Sequence, residues 1–136
     1  MRTVQNTLSL FVSQLPKVEL ILFNNGLHGW HLDDSTDYAK FYDEMVVCLI
    51  DNYPDIPLIL VLTTYIKNET RLERVKVRNN EVLKIAEKYQ LPVIDLFKVT
   101  EKNKEHLSED GIHFTQEGYN IIAKEIVSAI SKYYVK

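Results

Sequence analysis

Residues 58–62 read LILVL, and this stretch decides the fold. It is a short, unbroken apolar run directly after Pro54 and Pro57, which is typical of a strand buried on both faces of a sheet. Apolar residues recur at helical spacing on either side of it, first at Tyr38, Phe41, Tyr42, Met45 and Leu49 and then at Leu72, Val75, Val82, Leu83, Ile85, Ala86 and Tyr89. A buried strand between two amphipathic helices predicts a parallel sheet, because parallel strands are joined by crossover helices.

The alternation of strand and helix extends toward both ends of the chain. Residues 18–23 are rich in strand formers and follow a helical pattern (Leu8, Phe11, Val12 and Leu15) that Pro16 stops. Residues 91–94 indicate a brief strand, after which Asp95 is placed to cap a short helix. The last apolar stripe predicts a C-terminal helix packed on the sheet, and it comprises Tyr119, Ile122, Ala123, Ile126, Val127 and Ile130.

These elements predict an α/β protein with a single domain over residues 1–136, because no linker, repeat or low-complexity tract divides the chain. The architecture expected is a three-layer α/β/α sandwich around a parallel sheet. Only three strands can be found, whereas sheets of this kind usually hold about five. We therefore expect the first two strands of the fold to be missing from the front of the chain.

Composition limits the classes of partner. The chain has 136 residues, 46% of them hydrophobic, which suits one domain with one core. Sixteen basic against nineteen acidic residues give a net charge of -3, so we expect no nucleic-acid partner. No apolar run approaches the ~20 residues of a membrane helix, and no signal-peptide pattern follows Met1. The one cysteine, Cys48, lies in an apolar helical stretch and is expected to pack in the core, and the sequence leaves localisation open.

Ligands of parallel sheets bind beyond the carboxyl ends of the strands, so the loops there are where catalytic residues are expected. The loop before the last helix, residues 108–119, reads SEDGIHFTQEGY and places Asp110 three residues before His113. A carboxylate at that spacing can accept the Nδ1 proton of the imidazole and leave Nε2 free to take a proton from a serine hydroxyl. The alternative is that both residues make only local turn hydrogen bonds.

The loop after the first strand, residues 24–30, reads NNGLHGW. The side-chain amide of Asn24 could donate to the oxyanion that forms when an acyl carbonyl is attacked. The alternative is a turn in which Asn24, Asn25 and Gly26 adopt positive φ. A metal site at His28 and His31, with Asp33 or Asp34, is a weaker hypothesis because no strong metal motif is present. No metal and no cofactor are therefore predicted.

The motifs resemble those of SGNH (GDSL-type) hydrolases, in which GDS, an oxyanion glycine, GxND and DxxH follow one another along the chain. Residues 18–30, VELILFNNGLHGW, look like the third motif, and residues 110–119, DGIHFTQEGY, look like the last one. The resemblance runs over nearly the whole chain. It implies Asp110 and His113 as the triad acid and base and Asn24 as the oxyanion donor. It further implies that Asn25 and His28 lie close to a small-molecule or carbohydrate ester, since some subfamilies with a similar loop act on acylated sugars.

The chain departs from the family pattern in two places. Leu22 stands where GxND has glycine, so the choice of Asn24 over Asn25 rests on the flanking residues. No GDS occurs, and none of the six serines (Ser9, Ser13, Ser35, Ser108, Ser128 and Ser131) follows a strand in the family's position. We therefore expect no nucleophile in this chain and little hydrolysis by it alone. Residues 18–23 would then form an exposed edge strand, through which homo-oligomers could assemble.

Two other functions are alternatives to an acyl or acetyl esterase. One is a truncated or degenerate SGNH-like domain that binds a ligand or assembles with another protein without catalysis. The other is a flavodoxin-like regulatory or nucleotide-binding domain, which has the same layered α/β/α architecture. The second is disfavoured because the chain has neither a glycine-rich phosphate loop nor an acidic cluster after its first strand.

Overall fold

The computed structural model describes residues 17–28 and 35–134. In chain order the elements are strand β1 (Ile21–Phe23), helix α1 (Ser35–Asn52), strand β2 (Leu58–Val61), helix α2 (Glu69–Tyr89), strand β3 (Val93–Ile94), helix α3 (Leu96–Lys102), a 3-10 turn (Lys104–His106) and helix α4 (Gln116–Tyr134). The predicted α/β class is confirmed. The predicted first helix, at Leu8, Phe11, Val12 and Leu15, lies outside the described residues.

The sheet has the order β1-β2-β3, and both pairings are parallel. Ile21 pairs with Leu58 and Phe23 with Leu60, while Val93 pairs with Leu60 on the other side of β2. The central position of β2 explains its continuous apolar sequence, because both of its faces and both of its edges are covered. All four residues of β2 are buried.

Alternate residues of β2 enter two separate cores. Leu58, Leu60 and Leu62 face α1 and α2, and they join Tyr38, Tyr42, Val46, Leu49, Val82, Ile85 and Ala86. Ile59 and Val61 face the opposite layer with Ile94 and Leu96, against which Ile122, Ile126 and Ala129 of α4 pack. Complete burial of side chains such as Ile59 and Leu60 stabilises the fold by about 1.5–3 kcal/mol each. The result is the three-layer arrangement that the sequence predicted.

The helix ends follow local side-chain chemistry. Asn68 caps α2 by accepting a hydrogen bond from the Arg71 backbone N–H at 2.9 Å. Asp95 caps α3 in the same way, with the Lys98 N–H at 2.9 Å, as predicted from its position. The two edge strands are shorter than the apolar runs that predicted them, since only residues 21–23 and 93–94 take part in the ladder.

Several apolar residues assigned to the predicted stripes are exposed instead: Phe41, Leu83, Tyr119 and Val127. No strand pairs with the outer edge of β1 among residues 17–28 and 35–134. Cys48 is buried, as expected of a packing residue, and is a free thiol. None of the described helices combines the length and the apolar character that a membrane crossing requires.

Candidate active site

Asp110 and His113 meet in the loop that precedes α4. The imidazole Nδ1 lies 2.5 Å from Asp110 Oδ2. The other carboxylate oxygen, Oδ1, accepts the backbone N–H groups of Ile112 and His113, each at 2.9 Å. Oδ1 also accepts the Ser108 hydroxyl at 2.8 Å. The carboxylate is thus held on both oxygens, and one of them is directed at the ring nitrogen that an acid–base pair requires.

The backbone of this loop is fixed by a glycine and by the segment after β2. Gly111 has φ of +70°, a conformation that side chains disfavour. Its carbonyl accepts the Lys67 N–H at 2.9 Å, and its own N–H donates to Ser108 O at 3.0 Å. A Cβ on residue 111 would lie 2.8 Å from Lys67 Cβ, closer than carbon atoms tolerate. Glycine at this position therefore permits both the turn and the contact with the neighbouring loop.

The start of α4 closes the loop from the other side. Thr115 Oγ1 accepts the Gly118 N–H at 3.3 Å, as a helix cap does, and the Thr115 N–H donates to His106 O at 2.8 Å. Gly118 lies against the 3-10 turn, since a Cβ there would lie 3.0 Å from His106 Cβ. Leu107 and Phe114 form an isolated antiparallel bridge at the base of the loop. These contacts hold the residues between positions 107 and 115 as a closed loop.

The electrostatics of the pair favour a charged carboxylate. The hydrogen bond from His113, followed by those from the Ile112 and His113 backbone and from Ser108, holds the pKa of Asp110 far below its ordinary value. Both side chains are open to solvent, with exposed fractions of 69% for His113 and 49% for Asp110. Within the described part of the chain, Nε2 of His113 makes no hydrogen bond. This nitrogen is therefore available to an incoming hydroxyl.

Asn24 lies directly beyond the carboxyl end of β1 and is exposed. Its Nδ2 donates to Val61 O, at the end of β2, over 2.6 Å. A carboxamide has two N–H groups, so one remains for another acceptor. The amide is thereby fixed at the edge of the sheet where ligands of this fold class bind.

Asn25 and His28 shape the turn that follows Asn24. Asn25 Nδ2 donates to the His28 carbonyl at 3.3 Å, and Gly26 adopts φ of +59°. The turn that the sequence offered as an alternative therefore exists, with glycine and not asparagine in the left-handed conformation. The His28 side chain is exposed.

A cavity of about 330 Å³ lies beside Asn24. It is mostly apolar, and Leu22, Asn24, Gly26, Leu27, Thr63 and Ile126 are among its lining residues. His113 is not in this lining, and no hydrogen bond joins His113 to Asn24. The segment after β2 connects the two, because Val61 and Thr63 bind the loop of Asn24 and Lys67 binds the loop of His113.

The hydroxyls of the described serines Ser108 and Ser131 bond to acceptors other than the imidazole ring. Ser108 donates its hydroxyl toward Asp110 Oδ1 and His113 O, and not toward the imidazole ring. Ser131 bonds to Ser128 O within α4. Ser9 and Ser13 lie outside the described residues, and for Ser35 only the backbone is described.

The weaker metal hypothesis falls mostly on residues that are not described, since His31, Asp33 and Asp34 lie between positions 28 and 35. Among the residues that the structure does describe, no three His, Cys, Asp or Glu side chains converge as metal ligands would.

Sequence reasoning missed the polar residues beneath the site. Arg78 and Asn79 are 4% and 6% exposed, respectively, and both contact the loops beyond β1 and β2. Their positions fall on the buried stripe of α2, between Val75 and Val82. Two polar residues on an apolar helical stripe were the signal that could have revealed them.

A parallel sheet between helical layers, with a carboxylate and imidazole pair and a side-chain amide at its carboxyl edge, defines the class of hydrolase-like α/β proteins. The sequence model of the GDSL-like Lipase/Acylhydrolase family matches residues 22–126, well over half of the chain. The chain belongs to this family, and the resemblance that the motifs suggested is confirmed.

Solved structures support the same fold. The lipase/acylhydrolase from Enterococcus faecalis superposes with a TM-score of 0.72 at 22% identity, covering 96% of this chain and 69% of that one. An acetylxylan esterase from Geobacillus stearothermophilus superposes with a TM-score of 0.64 at 18% identity, covering 91% of this chain and 66% of that one. A GDSL-like lipase from Bacteroides thetaiotaomicron gives 0.59 at 19% identity, with coverage of 84% and 62%. The chain thus spans about two thirds of the length of these proteins. None of the curated protein sequences matches it.

Proposed function

We propose that this chain carries the acid–base pair and one oxyanion donor of an ester hydrolase that works by Ser-His-Asp acyl transfer. The observation that carries the proposal is the His113–Asp110 contact of 2.5 Å, made by the Nδ1 atom of an exposed imidazole ring. Membership of a lipase and acylhydrolase family supports ester bonds as the substrate. The nucleophilic serine is expected from outside this chain, because GDS does not occur in it.

In the proposed reaction, Nε2 of His113 takes the hydroxyl proton as a serine oxygen bonds to the acyl carbon. Asp110 stabilises the imidazolium, and the free N–H of Asn24 donates to the oxygen that becomes negative. The C–O bond to the alcohol then breaks, and Nε2 returns its proton to the leaving oxygen. Water repeats the sequence on the acyl-enzyme, which releases the acid and regenerates the serine. Loss of an oxyanion donor of this kind lowers kcat roughly 100- to 1000-fold.

For the substrate we propose a small acyl ester, with acetylated carbohydrate as the first class to test. A structural neighbour is named as an acetylxylan esterase. The cavity beside Asn24, of about 330 Å³, has room for a small acyl group, and the exposed His28 lies on the same loop.

The experiment compares this chain with an extended protein in which the GDS-bearing front segment of a family member precedes Met1. Hydrolysis of p-nitrophenyl acetate by the chain alone should equal that of its His113→Ala variant. The extended protein should turn over the ester, and changing either its GDS serine or His113 to Ala should abolish that turnover. His106→Ala is the matched control, since the His106 ring lies 3.7 Å from the Glu105 carboxylate and is not part of the proposed machinery.

Two results would contradict the proposal. One is turnover by the chain alone that His113→Ala removes, because the nucleophile would then lie within the chain. The other is a folded extended protein that hydrolyses no ester. That second result would favour the non-catalytic binding or assembly module, for which the supporting observation is that no strand within residues 17–28 and 35–134 pairs with the outer edge of β1.

A further inference from the structure

Two adjacent polar residues of α2 are buried beneath the loops at the carboxyl edge of the sheet. Arg78 and Asn79 are 4% and 6% exposed, and the other buried residues of this helix are apolar: Val75, Val82, Ile85 and Ala86. Burial of polar groups is unfavourable unless each is hydrogen-bonded, so their partners indicate what they are for. Each bonds to a residue in the loops after β1 and β2, Asn79 to Thr63 and Arg78 to His28.

Asn79 grips a single residue at two points. Its Oδ1 accepts the Thr63 N–H at 2.9 Å, and its Nδ2 donates to the Thr63 carbonyl at 3.0 Å. The carboxamide thus satisfies the backbone of Thr63 as a neighbouring strand would, two residues beyond the end of β2. The conformation of Thr63 therefore depends on Asn79.

Thr63 in turn holds the loop of Asn24. Its hydroxyl donates to the Gly26 carbonyl at 3.2 Å, while Val61 O receives the Asn24 amide at 2.6 Å. Asn24 Oδ1 lies 3.3 Å from the place where a Gly26 Cβ would stand, so the Gly26 backbone and the amide are in close approach. A displacement of Thr63 should therefore be transmitted to the Asn24 side chain.

Arg78 supports the far end of the same loop. Its Nη1 donates to the His28 carbonyl at 3.0 Å, and its guanidinium lies 4.4 Å from the centre of the Tyr38 ring. Adjacent residues of one helix therefore hold the loop at two places, Gly26 through Thr63 and His28 directly. The loop of Asn24 is fixed against α2 and not only against the sheet.

We infer that Asn79 is a positioning residue whose contact with Thr63 sets the direction of the Asn24 amide. This inference rests on the proposed function, in which Asn24 stabilises the oxyanion. Asn79 touches no reacting atom itself. It acts through Thr63, whose hydroxyl and neighbouring Val61 carbonyl hold the turn of residues 24–28.

The test uses the chain as it exists and does not depend on activity. The order parameter of the Asn24 side-chain amide is measured by ¹⁵N relaxation in the wild type and in Thr63→Val, Thr63→Ser and Asn79→Asp. Thr63→Val removes the hydroxyl bond to Gly26 but keeps the backbone bonds to Asn79. Asn79→Asp keeps an acceptor for the Thr63 N–H but places a second acceptor against the Thr63 carbonyl.

The Asn24 side-chain amide should be rigid in the wild type and in Thr63→Ser. In Thr63→Val and Asn79→Asp its order parameter should fall below about 0.6. The Asn52 amide, which donates to Cys48 O at 2.7 Å near the end of α1, should stay unchanged in every variant and serves as the internal control. A folded Asn79→Asp protein in which the Asn24 amide stays rigid would overturn the inference. If Asn79→Asp does not fold, a Thr63→Val protein with a rigid Asn24 amide overturns it, because the connection from Thr63 to the loop would then be absent.

A second arm separates this inference from the proposed function. In the extended, serine-containing protein, Thr63→Val should lower kcat about 10-fold or more with little change in KM, since an oxyanion donor acts mainly in the transition state. Thr63→Ser should recover most of that loss. An Asn24 amide that loosens while kcat stays unchanged would support the coupling but would refute Asn24 as the oxyanion donor.

Discussion

Gly111→Ala tests whether the loop of Asp110 and His113 depends on its contact with the segment after β2. Gly111 has φ of +70°, and its carbonyl receives the Lys67 N–H at 2.9 Å. The substitution leaves every hydrogen-bonding group in place. It adds one methyl group, at a position where the Lys67 Cβ lies 2.8 Å away.

The cost has two parts. Alanine in the left-handed conformation loses about 1–2 kcal/mol relative to glycine. Forcing a methyl group against a carbon of a neighbouring loop adds about 1–3 kcal/mol, because the backbone of one loop must move. The free energy of unfolding should therefore fall by roughly 2–5 kcal/mol, which for a domain of this size lowers Tm by about 10 °C.

Urea unfolding in three backgrounds, the wild type, Lys67→Gly and Lys67→Ala, separates these two contributions. Lys67→Gly removes the Cβ that the new methyl group meets, so Gly111→Ala should cost about 1–3 kcal/mol less there than in the wild type. Lys67→Ala keeps that Cβ and should leave the cost unchanged. An equal cost in all three backgrounds, or a cost below about 0.5 kcal/mol in the wild type, would refute the close approach of the two loops.

The Asp110–His113 pair and the outer edge of β1 can each be tested by one further measurement. The pKa of Asp110 is lowered on folding, so its contribution to stability is present above its ordinary value of 3.8 and is lost as pH falls below it. That loss is spread over the whole interval down to the much lower folded-state pKa, so Asp110→Asn should destabilise the protein at pH 7 and make a smaller difference at pH 2. Urea unfolding at both pH values measures this, and an equal difference at the two would contradict it. We also propose that copies of the chain associate through the edge of β1, so light scattering should show a dimer that Leu22→Lys disrupts, and a monomeric wild type would exclude that association.

The sequence predicted the central strand well because β2 is paired on both edges and buried on both faces, so all of its residues are apolar. The edge strands were predicted too long. Residues 18–20 and 91–92 are as suited to a strand as their neighbours, yet strand length depends on how many partners the adjacent strand offers. Leu83 was assigned to the buried stripe of α2 but is exposed, whereas Val82 directly before it is buried. Successive residues of a helix point in different directions, so adjacent apolar residues do not by themselves show which one faces the core.

In the candidate site, the sequence likewise predicted a contact between neighbouring residues but not a contact between distant segments. The contact of Asp110 with His113 spans three residues, and local spacing with a glycine was enough to predict it. The contact of Asn79 with Thr63 joins a helix to a strand end 16 residues earlier in the chain. It depends on how α2 lies across the sheet, which no short motif records. The indication in the sequence was the pair of polar residues on the otherwise apolar stripe of α2, because polar residues that are buried need hydrogen-bond partners.

The acid–base loop and the Asn24 amide should lose their structure at different degrees of destabilisation. Most hydrogen bonds that form the acid–base loop come from positions 106–118, and Lys67 supplies the tertiary one. The Asn24 amide, by contrast, depends on Val61, Thr63 and Asn79, all at least 37 residues away in sequence. Contacts between distant segments are lost when packing loosens, whereas short loops keep theirs longer. Mild destabilisation should therefore disorder the Asn24 amide while the His113–Asp110 contact persists.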